Sequence, residues 1–140
     1  MTRMSQAEKE AFLADLHVGV LSLNQRGRAP LTVPIWYDYA PGGELWFQTG
    51  PDSRKGKLLT VGARVSLCAQ TETPPYKYVS VEGVVTHISA TDKEKDARPM
   101  ARRYLGAKTG DRYVDRGSGE AGVTVRVRPE HWLAVDYGKR

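Results

Sequence analysis

Cysteine is almost absent from this 140-residue chain: Cys68 stands alone, which excludes an internal disulfide and any cysteine-based metal site. Its neighbours Leu67 and Ala69 suggest a buried structural thiol. Histidine is sparse too, and His17, His87 and His131 show no ligand spacing, so no metal site is expected. No apolar run approaches the ~20 residues of a membrane-spanning helix, and the opening Met-Thr-Arg-Met-Ser-Gln lacks the apolar core of a signal peptide. The expectation is a cytoplasmic protein without a membrane partner. Repeats and low-complexity segments are also missing. What is present is a 40% hydrophobic composition, enough for one domain over residues 1–140 with its own core, where two would be cramped. The net charge of +5 favours anionic partners, phosphorylated small molecules as readily as nucleic acid.

The most informative stretch runs from Glu44 to Leu59. Leu45, Trp46 and Phe47 form a β-rich run, Gly50-Pro51 break it, and Asp52 or Ser53 is placed to cap a helix carrying Leu58, Leu59 and Val61. Arg54, Lys55 and Lys57 follow the cap, where the macrodipole is positive and each cation is disfavoured by a few tenths of a kcal/mol. A phosphate held by free backbone N–H groups and these side chains would supply the missing counter-charge. The bland alternative is a solvated basic turn balanced by Asp52.

In chain order, Ser5 to Glu8 has the form of a capping box, and Ala11, Phe12, Ala14 and Leu16 give one face of a helix over about residues 5–15. A strand from His17 to Leu23 and another from Leu31 to Tyr39 predict a hairpin around Asn24 to Gly27, with Pro34 marking an edge or a bulge. Pro41-Gly42-Gly43 is a tight turn. Strands are expected from Arg64 to Gln70 and from Tyr76 to Ile88, the latter bent at Gly83. Thr91 to Glu94 reads as a second capping box, before a helix whose Pro99 either kinks it or sits in its first turn. Asp111 to Gly122 reads as a short helix and loop, and Val123 to Arg128 and His131 to Tyr137 as two closing strands.

This order of antiparallel strands and short helices argues for a mainly β protein, a small closed or nearly closed barrel. The chain resembles the split β-barrel proteins of the pyridoxamine 5′-phosphate oxidase-like superfamily over nearly its whole length. The residues that carry the resemblance are Gly19 to Leu23, Pro34 to Tyr37, Phe47 to Thr49, Ser53-Arg54-Lys55 and Tyr78 to Gly83, of which Ser53-Arg54-Lys55 after a strand ending in Thr49 is the most specific. The resemblance implies a homodimer with two cofactors, flavin mononucleotide (FMN) or its deazaflavin analogue coenzyme F420, in grooves where the protomers meet. By position it implies that Pro34, Ile35, Trp36, Phe47, Gln48 and Thr49 line the ring and that Ser53, Arg54 and Lys55 grip the phosphate, with Lys57 extending the basic groove. Trp36 serves equally as barrel core. The Arg-x-His motif of true pyridoxamine phosphate oxidases is not intact, since the corresponding region reads Arg126-Val-Arg-Pro-Glu-His-Trp132. The shorter chain looks more like the actinobacterial flavin or deazaflavin reductases of this barrel.

The resemblance implies an oxidoreductase in which the cofactor moves a hydride to or from a small-molecule substrate. No residue stands out as a catalytic acid or base, and Tyr37, Tyr39, Tyr76 and Tyr78 can shape a pocket or pack across strands. Of the two cofactors, F420 is favoured, because Lys57 and Lys77 would extend the positive groove along its phosphodiester and glutamate tail. The rivals are a non-catalytic cofactor carrier, a haem-binding barrel and, ranked last, a single-strand nucleic-acid binder.

Overall fold

The computed structural model describes residues 2–117 and 122–139. The first capping box forms as its sequence dictates. Ser5 Oγ accepts from the Glu8 N–H at 3.2 Å and Glu8 Oε1 from the Ser5 N–H at 2.8 Å, opening α1 (Gln6–Ala14). The buried face of α1 is Phe12 and Leu13. Leu16, expected on that face, is 56% exposed, because extended backbone at Asp15 ends the helical periodicity before it.

Seven strands lie among the described residues: β1 (Gly19–Leu23), β2 (Leu31–Ile35), β3 (Asp38–Tyr39), β4 (Leu45–Thr49), β5 (Arg64–Gln70), β6 (Lys77–Ala90) and β7 (Val123–Asp136). They form one antiparallel sheet in the order β2-β1-β5-β6-β7-β4-β3. Alternate residues point inward, as in the buried Leu45, Phe47 and Thr49 of β4, and the core gathers on that face with Leu21, Leu67 and Val81. The expected single strand from Leu31 to Tyr39 is corrected here. It is two strands at opposite ends of the sheet, parted by Trp36 and Tyr37. Chain connectivity thus brings the two edges together without a ladder between them, and the barrel is split rather than closed. Pro34 sits in the edge strand β2, where a residue without an N–H is tolerated.

At the split, α3 (Arg98–Leu105) supplies the polar groups that a neighbouring strand would otherwise provide. The Tyr37 N–H donates to the Tyr104 hydroxyl at 3.0 Å, and the Tyr37 carbonyl accepts from Arg103 Nε at 3.0 Å. The wholly buried Tyr37 ring sends its hydroxyl to the Leu13 carbonyl at 2.6 Å, and burial pushes its phenol pKa far up.

β6 and β7 pair along their full length, with register shifts at Glu82/Gly83 and Val85/His87 that leave Glu130 and Thr86 as extra residues. The two closing strands expected on either side of Pro129 are therefore one, because Pro129 meets Gly83 at a bulge instead of ending the ladder. A side chain at Gly83 would stand 2.5 Å from Val127 Cγ1 and 2.6 Å from the Arg128 carbonyl oxygen.

After β6, Asp92 rather than Thr91 caps the next segment, its carboxylate accepting from the N–H groups of Glu94 and Lys95. Lys93–Ala97 is a π-helical turn that leads into α3 (Arg98–Leu105), with Pro99 in the first turn. Gly106, at φ 83°, turns the chain into α4 (Ala107–Asp115), so helix begins earlier than the expected Asp111; residues 118–121 of the expected loop lie outside the described residues. Arg98 ties the hairpin together through Glu94 (2.8 Å), Asp111 (3.0 Å) and Asp115 (2.8 Å).

Candidate functional site

The site starts where β4 ends. Thr49 is followed by a turn and by the single-turn helix α2 (Arg54–Leu58), capped by Ser53, whose Oγ accepts from the Gly56 N–H at 3.0 Å and donates to the Gly50 carbonyl at 2.7 Å. With that proton committed, the Thr49 hydroxyl, 3.1 Å away, donates to Ser53. The turn is tight enough that a Cβ at Gly56 would lie 2.1 Å from the Gly50 oxygen. No acidic residue occupies the first turn of α2.

Beside this turn opens a cavity of about 1100 Å³. Its near wall is Pro34, Ile35 and Trp36 of the barrel split, its floor Gln48 and Thr49, and Lys55 reaches in from α2. The far wall is the α3–α4 hairpin, with Met100 and Leu105 giving apolar surface and Arg112 and Tyr113 a mixed one. Thr91, Lys93 and Gly122 close one end. Trp36 stacks on Tyr104 with centroids 4.9 Å apart and planes 4° from parallel, and meets Tyr113 at 5.8 Å and 51°. It is a held wall of the cavity rather than barrel core.

Six of the ten residues proposed from the sequence therefore meet in one place: Pro34, Ile35, Trp36, Gln48, Thr49 and Lys55. The others do not line the cavity. Phe47 is wholly buried in the core, Ser53 is engaged in the cap, and Arg54 Nε donates to Gln25 Oε1 at 3.1 Å. Lys57 is exposed outside the cavity. Lys77 lies at the end of β6 remote from Thr91 and faces Asp136 at 3.9 Å, so it does not extend the groove. The cations that share the cavity with Lys55 are instead Lys93, Arg112 and Arg116. Sequence reasoning missed them because they arrive on the segments that follow β6, Lys93 on the π-helical turn and Arg112 and Arg116 at the end of α4, and the amphipathic pattern of α4 was the available signal.

Lys93 stands 3.9 Å from Asp115, the acid that Arg98 also holds; Lys55 and Arg112 have no ion-pair partner among the described residues. The cavity thus combines flat aromatic and aliphatic surface with uncompensated positive charge, the donor set a planar ring with an anionic tail requires. His87 and His131 are exposed, and His17 turns Nε2 to the Phe12 carbonyl at 3.1 Å, its pKa lowered mainly by burial; none lines the cavity. Among the described residues no cluster of histidine, cysteine or acidic groups is arranged to hold a metal.

Comparison with known proteins places this geometry. A conserved hypothetical protein of Mycobacterium tuberculosis superimposes with a TM-score of 0.77 at 25% identity, over 97% of this chain and 87% of that one. An F420 reductase matches with a TM-score of 0.63 at 23% identity, covering 89% of this chain and 94% of that one. A FAD and heme binding protein of Mycobacterium smegmatis matches at 0.67 and 13% identity, over 96% and 72% of the two chains. At such identities the last two establish the shared fold alone. No protein of curated function matches the sequence. The sequence profile of pyridoxamine 5′-phosphate oxidase aligns with residues 5–136, from the α1 cap to the last residue of β7 and so across every element that builds the cavity. By that match this chain belongs to the pyridoxamine 5′-phosphate oxidase family.

Proposed function

We propose that the chain is an oxidoreductase that binds coenzyme F420, or alternatively FMN, in this cavity and acts on a small organic molecule. The observation that carries the reading is the convergence of Lys55 with the Pro34-Ile35-Trp36 wall on one cavity whose opposite side is aromatic and basic. Lys55 would take the phosphate, and the Trp36 wall, braced by Tyr104, would hold the ring against Met100 and Leu105. Such a cofactor supplies hydride transfer at its central ring. The chain's own part is to position, to exclude water and to offset charge, since no histidine faces the cavity.

F420 is preferred because positive charge continues beyond Lys55 to Arg112 and Arg116, a path suited to a ligand with charge along its tail. The fold-sharing F420 reductase supports the same choice. A homodimer, in which the partner completes the groove, is part of this proposal. Fluorescence titration of the purified protein with F420 and FMN, each oxidised and reduced, tests it. Saturable binding with F420 the tighter ligand is expected. FMN binding as tightly would transfer the assignment to flavin, and failure of both to bind would overturn it. Tight binding without turnover on any electron acceptor would leave a carrier in place of an enzyme.

A further inference from the structure

Asp96 is a buried carboxylate, 9% exposed, beside the cavity end formed by Thr91 and Gly122. Its Oδ2 accepts from the Asp92 N–H at 2.9 Å and from the hydroxyl of Thr124, itself 2% exposed, at 2.9 Å. A hydroxyl has one proton to give, and a carboxylate can only accept. Thr124 is therefore committed as a donor to Asp96, and its oxygen can only accept from Thr91 Oγ1, 3.1 Å away. Thr91 is in turn committed as a donor to Thr124. Its remaining lone pairs are what it offers to a ligand, and Gly122 leaves them uncovered, since a Cβ there would come within 3.2 Å of Thr91 Oγ1.

We infer that Thr91 is a specificity-determining contact, locked as a hydrogen-bond acceptor by Asp96 through Thr124, and that it selects a ligand presenting an N–H or O–H donor at this end of the cavity. The inference rests on the cofactor reading and deepens it. The donor is uncharged, a ring imide N–H or a polyol hydroxyl, and it meets Thr91 beside the Thr49 carbonyl, since a Cβ at Gly122 would reach Thr91 Oγ1 at 3.2 Å and the Thr49 oxygen at 3.6 Å. An analogue with that donor removed leaves the oxygen unpaired.

The test is a cycle of protein variants against ligand variants. F420 and FMN are titrated into wild type, Thr91→Val and Thr124→Val, alongside analogues methylated at the imide nitrogen or lacking single polyol hydroxyls. Thr91→Val is expected to weaken the parent cofactor about tenfold, while one donor-blocked analogue binds wild type and Thr91→Val alike. Thr124→Val frees the Thr91 hydroxyl to turn, so discrimination against that same analogue falls although the Thr91 oxygen remains. Equal loss for every analogue in Thr91→Val, or no loss for the parent, would overturn the inference. A second readout needs no cofactor. In proton NMR of the unliganded protein the Thr124 hydroxyl is expected as a slowly exchanging resonance that persists in Thr91→Val; its disappearance there would mean that Thr124 donates to Thr91 and that the polarity is reversed. If wild type binds neither cofactor, the functional reading fails while this signal still decides the relay.

Discussion

Lys55 and Arg54 are neighbours in sequence with different surroundings. Lys55 enters the cavity unpaired, whereas Arg54 is half committed to Gln25 across the surface. Lys55→Ala should therefore weaken cofactor binding by about 1.5–3 kcal/mol, the size of a lost charge-assisted hydrogen bond, and Arg54→Ala by distinctly less. Thermal stability should be nearly unchanged in both, because a cation leaves the positive end of a helix turn. Titration of both variants with the same cofactor checks the ranking; equal losses would mean that Arg54 abandons Gln25 to reach the ligand. Ser53 acts more indirectly, as the cap that fixes α2 and, through Thr49, joins it to the cavity floor.

The β6–β7 ribbon and the α3–α4 hairpin make two predictions about larger pieces of the fold. At Gly83 the space for a side chain is taken by the Arg128 carbonyl, which belongs to a paired strand and cannot yield cheaply. Gly83→Ala should cost at least ~2 kcal/mol by chemical denaturation; a neutral outcome would show that the bulge is free to move. In the hairpin, hydrogen bonds from Arg102 and then Arg98 hold the Asp111 carboxyl down at about 2, below its ordinary 3.8. A depressed acid stabilises the folded state above its unfolded pKa and loses that contribution as pH falls through its folded pKa. The Tm difference between wild type and Asp111→Asn should thus be constant down to about pH 4 and shrink toward pH 2. A difference independent of pH would assign the effect to packing.

Apolar groups stay exposed on β7 and on the segments that flank α2 and β1. Leu133 is 62% exposed and Val61 64%, and Val18 is similarly open. Scattered singles would need no explanation, but the proposed groove requires a second protomer, and these groups provide apolar surface for one. Sedimentation equilibrium at micromolar concentration is expected to show a dimer, and Leu133→Asp to shift it toward monomer. A monomeric wild type would remove the composite groove from the functional proposal. No helix among the described residues is long and apolar enough to cross a membrane.

Local chemistry was enough for much of this molecule. The Ser5 and Ser53 caps, the turn at Gly42, the edge position of Pro34 and the bend at Gly83 each follow from what one residue type can or cannot do with its own backbone. The resemblance carried by Ser53-Arg54-Lys55 extended that to the family and to six residues that share the cavity. Contacts between distant residues settled the rest. Nothing in the run from Leu31 to Tyr39 says that it divides between opposite edges of the sheet, because the group that receives the Tyr37 N–H is the Tyr104 hydroxyl, 67 positions away. Likewise, Pro129 reads as a strand end until Gly83 meets it across the ladder, and the far wall of the cavity is held by Tyr104 and Arg103 of α3 docking on Tyr37 while Trp36 stacks on Tyr104. Periodicity reports which face of an element is apolar; which other element covers that face is fixed by packing, and there the cavity, its charges and the acceptor at Thr91 were determined.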